Sequence, residues 1–119
     1  MKKNLVYVAG PYTKPDPCET TNKAVRVGND LLNLGYPTVV PHLSHFWHTM
    51  HPQPYQTWLD LDIVLMERCD VVLRLPGDSF GADKEVMHAS AIGIPVVYAT
   101  TIDSAAVELD AFIRSAESK

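Results

Sequence analysis

Two acidic residues, Asp62 and Glu85, have the positions in this sequence that best suit chemistry. Glu85 follows a loop bracketed by Gly77 and Gly81, and that loop comes directly after the apolar run at residues 71–75. Backbone N–H groups at the start of a helix attract anions and oxygen-rich ligands. We expect such a helix to carry Glu85 in its first turn, where its carboxylate can act on a bound ligand. This arrangement suggests an enzyme.

Asp62 is notable for its place on a helix predicted over residues 54–69. At about 100° per residue, Asp62 shares one face with Trp58 and Met66, whereas Asp60 lies on the opposite face. Burying a carboxylate among apolar side chains is costly unless it is partnered or its pKa rises. Asp62 is therefore a candidate site residue, and Asp60 is predicted to be solvated. The alternative for Asp62 is a structural hydrogen bond or salt bridge.

Two carboxylates beside one pocket suit the chemistry of glycosidic bonds. One can attack the anomeric carbon, or support an oxocarbenium-like transition state, while the other handles a proton. A structural alternative exists for Glu85, because an acidic residue in a first turn complements the helix dipole. Asp78 and Asp83 are open to the same explanation.

The composition is that of an ordinary globular protein of 119 residues, with 46% hydrophobic and 20% charged residues. We expect one domain over residues 1–119. The net charge of −4 gives no reason to expect a nucleic-acid polymer or a membrane as partner. The chain begins with a strand pattern rather than a signal peptide, and Cys18 and Cys69 show no metal spacing. We therefore expect free thiols and a cytoplasmic location.

Apolar runs predict four strands, and helical periodicity predicts four helices. The strands are expected at residues 5–9, 38–40, 71–75 and 96–99, and the helices at 24–34, 54–69, 82–92 and 106–113. A proline-rich loop is expected over residues 11–19, and Gly35 is expected to cap the first helix.

Alternating strands and helices predict an α/β fold, a flavodoxin-like three-layer α/β/α sandwich with a parallel sheet in strand order 2-1-3-4. In such sheets, ligands bind at the carboxyl ends of strands 1 and 3, where the winding reverses. The loops at that edge hold Gly10, Pro11 and Tyr12 after strand 1, and residues 76–85 after strand 3. The sheet topology and the sequence motif thus predict the same site, at the carboxyl ends of strands 1 and 3.

Three segments together resemble the nucleoside 2-deoxyribosyltransferase superfamily, including its relatives that hydrolyse nucleoside 5′-monophosphates. Residues 7–12 (YVAGPY) look like the family's first strand and substrate loop. Residues 62–72 resemble its helix-to-strand segment, and residues 79–85 (SFGADKE) resemble its nucleophile motif. The similarity extends from residue 5 to about residue 99.

The resemblance implies that Glu85 attacks C1′ of the sugar and that Asp62 positions the sugar and manages the proton of the departing base. It also implies a substrate loop with Gly10, Pro11 and Tyr12, and an anion site with Ser79 and Gly81. Ser79 stands where the transferases usually carry an aspartate for the free 5′-hydroxyl, and a serine there favours a 5′-phosphate. We expect a small-molecule nucleoside or nucleotide as partner, no metal or cofactor, and a homo-oligomer.

The segment at residues 41–52 contains four histidines. A metal site is conceivable, but no cysteine or carboxylate pair stands at ligand spacing. The preferred interpretation is a mobile lid in which Phe46 and Trp47 cover the base and His45 contacts it. A subunit interface would explain the aromatic residues equally well. Tyr12 either stacks on the base or closes a turn.

Two other functions compete with base cleavage or transfer. A non-catalytic nucleotide-binding or sensing domain would use the same fold and the same cleft. A phosphoacceptor receiver domain also shares this topology, but it needs an aspartate at the end of strand 3. Leu75 and Pro76 stand there, which disfavours the receiver.

Overall fold

A computed structural model describes residues 1–118. Each strand is followed by a helical segment, as the periodicity predicts, but the described residues form five α-helices rather than the predicted four. In chain order they are β1 (Val6–Ala9), α1 (Pro17–Asn33), β2 (Thr38–Val39), a 3₁₀ turn (Pro41–Leu43), α2 (Ser44–Met50), α3 (Tyr55–Glu67), β3 (Val71–Arg74), α4 (Phe80–Ala91), β4 (Val96–Tyr98) and α5 (Ala105–Glu117). Within the described residues, no helix combines the length and apolarity needed to cross a membrane.

The four strands form one sheet in the order β2-β1-β3-β4, and every pairing is parallel. Val6 at the start of β1 pairs with Thr38 on one side and with Val71 on the other. This architecture confirms the predicted α/β fold and its strand order. The winding reverses between β1 and β3, and their carboxyl ends therefore flank the expected crevice.

The side chains of β1 alternate between the two faces of the sheet. Val6 and Val8 pack with the α1 and α5 layer, whereas Tyr7 and Ala9 pack with the α3 and α4 layer. All four are fully buried, and each buried aliphatic side chain contributes about 1.5–3 kcal/mol. Tyr7 thus faces the two helices that carry Asp62 and Glu85.

Helix α1 begins at Pro17, so the predicted loop over residues 11–19 was too long. The Asp16 carboxylate caps the helix by accepting a hydrogen bond from the Glu19 N–H at 3.1 Å. Proline in the first turn needs no N–H partner and is preset for the helix. At the other end, Gly35 has a φ of +94° directly after the helix, which confirms the predicted cap.

Helix α4 begins at Phe80, two residues before the predicted start at residue 82. Ser79 caps it, and its hydroxyl accepts the Ala82 N–H at 3.1 Å. The acidic residue of the first turn is Asp83, and Glu85 lies in the second turn. The expectation that Glu85 occupies the first turn was therefore wrong. The helix dipole, which acts within the first turn, does not account for Glu85.

We predict that Gly77→Ala destabilises the fold more than Gly93→Ala, although both glycines have positive φ (+112° and +85°). A Cβ at Gly93 meets nothing within 4 Å, whereas a Cβ at Gly77 lies 2.9 Å from Cγ of Pro11. Gly93→Ala should cost about 1 kcal/mol from backbone strain, and Gly77→Ala about 2–3 kcal/mol because the two loops must also separate. Urea unfolding measures both losses, and equal losses would contradict this contact.

Candidate active site

The Glu85 side chain lies beneath the sheet, only 6% exposed, on the face of α4 that packs against β1. Its partner is Tyr7, a fully buried residue in the middle of β1, whose hydroxyl donates a hydrogen bond to Oε2 of Glu85. A hydrogen bond donated to a carboxylate favours its ionised form. The contact fixes one carboxylate oxygen and leaves the other for a ligand.

Asp62 lies on α3, the helix that packs beside α4 in the same layer. Its side chain is half-buried, and it is close enough to Glu85 for the charge of Glu85 to raise the pKa of Asp62. Asp60, by contrast, is exposed and accepts a hydrogen bond from the Gln56 amide at 2.7 Å. The helical geometry predicted this difference between the two aspartates.

Burial raises the pKa of Glu85 to about 7, against smaller lowering effects of the Tyr7 hydrogen bond and the Arg74 charge. Burial, followed by repulsion from Glu85, raises the pKa of Asp62 to about 8. Glu85 thus ionises first, and its charge then opposes ionisation of Asp62. Burial and the two carboxylates raise the pKa of Tyr7, which keeps its hydroxyl a donor.

Arg74 ends β3 with a buried guanidinium group. It donates to the carbonyl oxygens of Leu75 and Gly77, the latter at 3.0 Å, and forms an ion pair with Asp83 at 3.0 Å. These bonds tie the loop after β3 to the first turn of α4. Arg74 therefore holds the loop between β3 and α4, and its positive charge lowers the pKa of Glu85.

The cleft above the carboxylates consists of two adjoining cavities. One, of about 420 Å³, is lined by Glu85 and the start of α4. The other, of about 320 Å³, is lined by Asp62 and Trp58. Four residues line both cavities: Gly10, Tyr12, Thr13 and Tyr55. The two carboxyl groups thus belong to adjoining halves of one cleft.

Most of the predicted binding residues lie in this cleft. Gly10 and Tyr12 line both halves, and Ser79 and Gly81 line the half that contains Glu85. Gly81 has a packing reason to be glycine, since a Cβ there would lie 2.9 Å from the Tyr55 hydroxyl. Pro11 instead lines a third and larger cavity on the other side of the loops.

Two predicted base-contacting residues, His45 and Trp47, do not line the cleft. The segment that contains them forms the 3₁₀ turn and α2. Nδ1 of His45 lies 2.8 Å from the Tyr12 hydroxyl, and the His45 ring lines a small separate cavity with Phe46. Trp47 is 54% exposed and packs edge-to-face on Trp58, with ring centroids 5.3 Å apart.

Sequence reasoning did not assign site roles to Tyr7, His42 or Trp58. His42 is 5% exposed, and its Nε2 lies 3.2 Å from the Gly10 carbonyl and 3.0 Å from the Pro11 carbonyl. Burial lowers the pKa of His42, so the neutral ring donates to these carbonyls and holds the loop after β1. Strand alternation could have identified Tyr7, since it places the hydroxyl on the helix layer that carries Glu85. No local pattern indicates the contacts of His42.

Within residues 1–118, no group of three or more His, Cys, Asp or Glu side chains is placed to hold a metal ion. Comparison with known proteins gives no matching family model and no matching curated protein. We therefore infer the chemistry of the cleft from the arrangement of its side chains. A buried carboxylate with a phenol donor and a neighbouring carboxylic acid can supply a nucleophile and a proton donor.

We predict that Tyr7→Phe raises the pKa of Glu85 further above 7, because the lost hydrogen bond favours the ionised carboxylate. Tyr12→Phe is the matched control, since the Tyr12 hydroxyl bonds to His45 instead. Carbon-13 NMR titration of the glutamate carboxyl groups measures the shift. An unchanged Glu85 titration in Tyr7→Phe would contradict the assigned contact.

We also predict that Glu85→Gln stabilises the fold at alkaline pH. Burial raises the pKa of Glu85 from 4.5 to about 7, so its contribution to stability is complete below pH 4.5 and is lost as pH rises towards 7. The variant should resemble the wild type at pH 4 and exceed it by about 3 kcal/mol at pH 8. Urea unfolding at both pH values measures this, with Asp60→Asn as the exposed control. A difference that does not change with pH would refute the raised pKa.

Proposed function

We propose that this chain cleaves or transfers the N-glycosidic bond of nucleosides or their 5′-monophosphates, with Glu85 as the nucleophile. One observation carries the proposal: Glu85 and Asp62, from different helices, meet at one cleft while Tyr7 fixes Glu85 from below. The order of the motifs in the sequence, which resembles that of the nucleoside 2-deoxyribosyltransferases, supports the same bond type.

In the first step, the sugar occupies the half of the cleft that contains Glu85, and the base extends towards Trp58. The Glu85 carboxylate forms a bond to C1′ as the bond from C1′ to the base nitrogen breaks. The electron pair leaves with the base, and Asp62 donates its proton to the departing nitrogen. The product of this step is a glycosyl ester on Glu85 and a free base.

In the second step, water or another base attacks C1′ and displaces Glu85 as a carboxylate. Asp62, now ionised, accepts the proton of the attacking group, which restores both residues. The directions of the pKa shifts support these roles, since Glu85 ionises first and its charge then holds Asp62 in the protonated form. The nucleophile must be ionised to attack, and the acid must still carry a proton to give to the base, so the reaction needs this order of ionisation.

A 5′-phosphate suits the start of α4. Ser79, Phe80 and Gly81 at the start of α4 line the half of the cleft with Glu85, and Lys14 lines it as well. Backbone N–H groups at a helix start and a lysine both favour an anion. Asp78 opposes them from the same wall. The balance favours nucleotides over free nucleosides.

We propose that the enzyme acts in the cytoplasm as a homo-oligomer. Exposed apolar side chains on α2, α3 and α4 support self-association, because large apolar patches mark interaction surfaces. The most exposed of these are Phe46, Trp47, Met50, Tyr55, Phe80 and Met87.

Incubation with a panel of nucleosides and nucleoside 5′-monophosphates tests the function, with free base measured by chromatography. We predict that the wild type releases base, that Glu85→Gln abolishes release, and that Asp62→Asn slows it about 10²–10⁴-fold. Asp60→Asn is the matched control, because Asp60 is exposed on the same helix, and it should leave the rate unchanged.

The outcome also separates catalysis from the sensing alternative. Tight binding of a nucleotide by the wild type, without release of base or transfer to an added base, would show a non-catalytic sensing domain instead. Full activity of Glu85→Gln would exclude Glu85 as the nucleophile.

A further inference from the structure

A cavity larger than either half of the cleft lies outside it, at the carboxyl ends of β1 and β3, on the side of the α1 and α5 layer. Its volume is about 730 Å³. Its walls include the apolar side chains of Pro15, Leu75 and Ile102, and Lys14 and Lys23 also line it. The mechanism proposed for the cleft makes no use of this space.

The cavity adjoins the cleft rather than lying apart from it. Lys14 and Asp78 line both the large cavity and the half of the cleft that contains Glu85. Pro11 and Gly77 line only the large cavity, and they touch across the two loops at the boundary. A slender, extended group could therefore pass from the cleft into the large cavity beside Lys14.

The charges along this path suit an anionic linker. Lys14 lines both the cleft and the large cavity, and Lys23 lines the large cavity alone. Lys23 pairs with Glu19 at 3.3 Å, but the two side chains are 45% and 55% exposed, so this ion pair is weak and can yield to a phosphate. Asp78 opposes an anion at the boundary, which leaves two lysines against one free carboxylate.

The volumes of the cavities also indicate that the ligand carries a second bulky group. Pockets of about 300–1,000 Å³ hold small-molecule ligands, and the cleft halves of about 420 and 320 Å³ suffice for one nucleotide. A mononucleotide would leave the larger cavity of about 730 Å³ unused. Its apolar walls suit a flat ring, and its lysines suit a phosphate.

We infer that the cleft and the large cavity bind the two ends of one substrate, a dinucleotide whose nucleosides are joined by a 5′,5′-pyrophosphate. The nucleoside to be cleaved lies in the cleft, the pyrophosphate passes Lys14, and the second nucleoside occupies the large cavity. This inference rests on the function proposed for the cleft. It adds that the 5′-phosphate of the substrate is joined to a second nucleoside through a pyrophosphate.

Titration calorimetry on the full chain carrying Glu85→Gln tests this inference without turnover. The probes are the four common nucleoside 5′-monophosphates, their diphosphates, and the corresponding symmetrical dinucleoside 5′,5′-pyrophosphates. For at least one base, the dinucleotide should bind at least about tenfold more tightly than the monophosphate and the diphosphate, with one molecule per chain.

A change at Lys23 links the gain in affinity to the large cavity. In the Glu85→Gln background, Lys23→Ala should weaken dinucleotide binding about tenfold relative to monophosphate binding, because a charge-assisted contact is lost. Lys23→Arg should retain most of the preference. Lys3→Ala, which removes an exposed positive charge at the other end of β1, is the matched control and should change neither affinity.

The inference is overturned by equal binding of dinucleotide and monophosphate, by equal binding of dinucleotide and diphosphate, or by a preference unaffected by Lys23→Ala. Two monophosphates per chain would show separate sites and would overturn it as well. Base release from monophosphates by the wild type is measured independently. A failure of the dinucleotide preference is thus distinguishable from a failure of the proposed cleavage.

Discussion

The hydrogen bond from the Tyr7 hydroxyl to the Glu85 carboxylate joins the centre of the sheet to the helix that carries the proposed nucleophile. A carboxylate is costly to bury, and a single buried donor compensates only part of that cost. The pKa of Glu85 therefore remains raised, to about 7, despite the hydrogen bond. The carboxylate is fixed in place and only partly satisfied, which leaves it available to react.

The remainder of the site follows from this buried charge. Ionised Glu85 raises the pKa of Asp62 on the neighbouring helix, so one carboxyl group keeps its proton beside a carboxylate. Arg74 donates hydrogen bonds to the loop carbonyls and forms an ion pair with Asp83, so it holds the start of α4, whose residues line the cleft. His42 holds the opposite loop through the carbonyls of Gly10 and Pro11. Arg74 and His42 thus hold the walls of the cleft, and Glu85 and Asp62 are the groups that we propose to carry out the reaction.

The sequence predicts the features that depend on local pattern. Apolar runs identify all four strands and their parallel order, and helical periodicity places Asp62 inward and Asp60 outward. Features that depend on contacts between distant residues were not predictable. Tyr7 and Glu85 are 78 residues apart, and strand alternation indicates only which layer Tyr7 faces, not that its hydroxyl contacts Glu85. The capping of α4 by Ser79 moved Glu85 out of the first turn, and the turn that carries His42 had no recognisable pattern.

The central claim is that Glu85 forms a covalent bond to the sugar, and trapping that intermediate tests it most directly. A 2′-fluoro-substituted nucleoside 5′-monophosphate slows both steps, so the glycosyl ester accumulates if it exists. We expect mass spectrometry of the digested protein to find the sugar phosphate on the peptide that contains Glu85. The Asp60→Asn variant should give the same adduct. Release of base with no adduct, or an adduct on another residue, would contradict it.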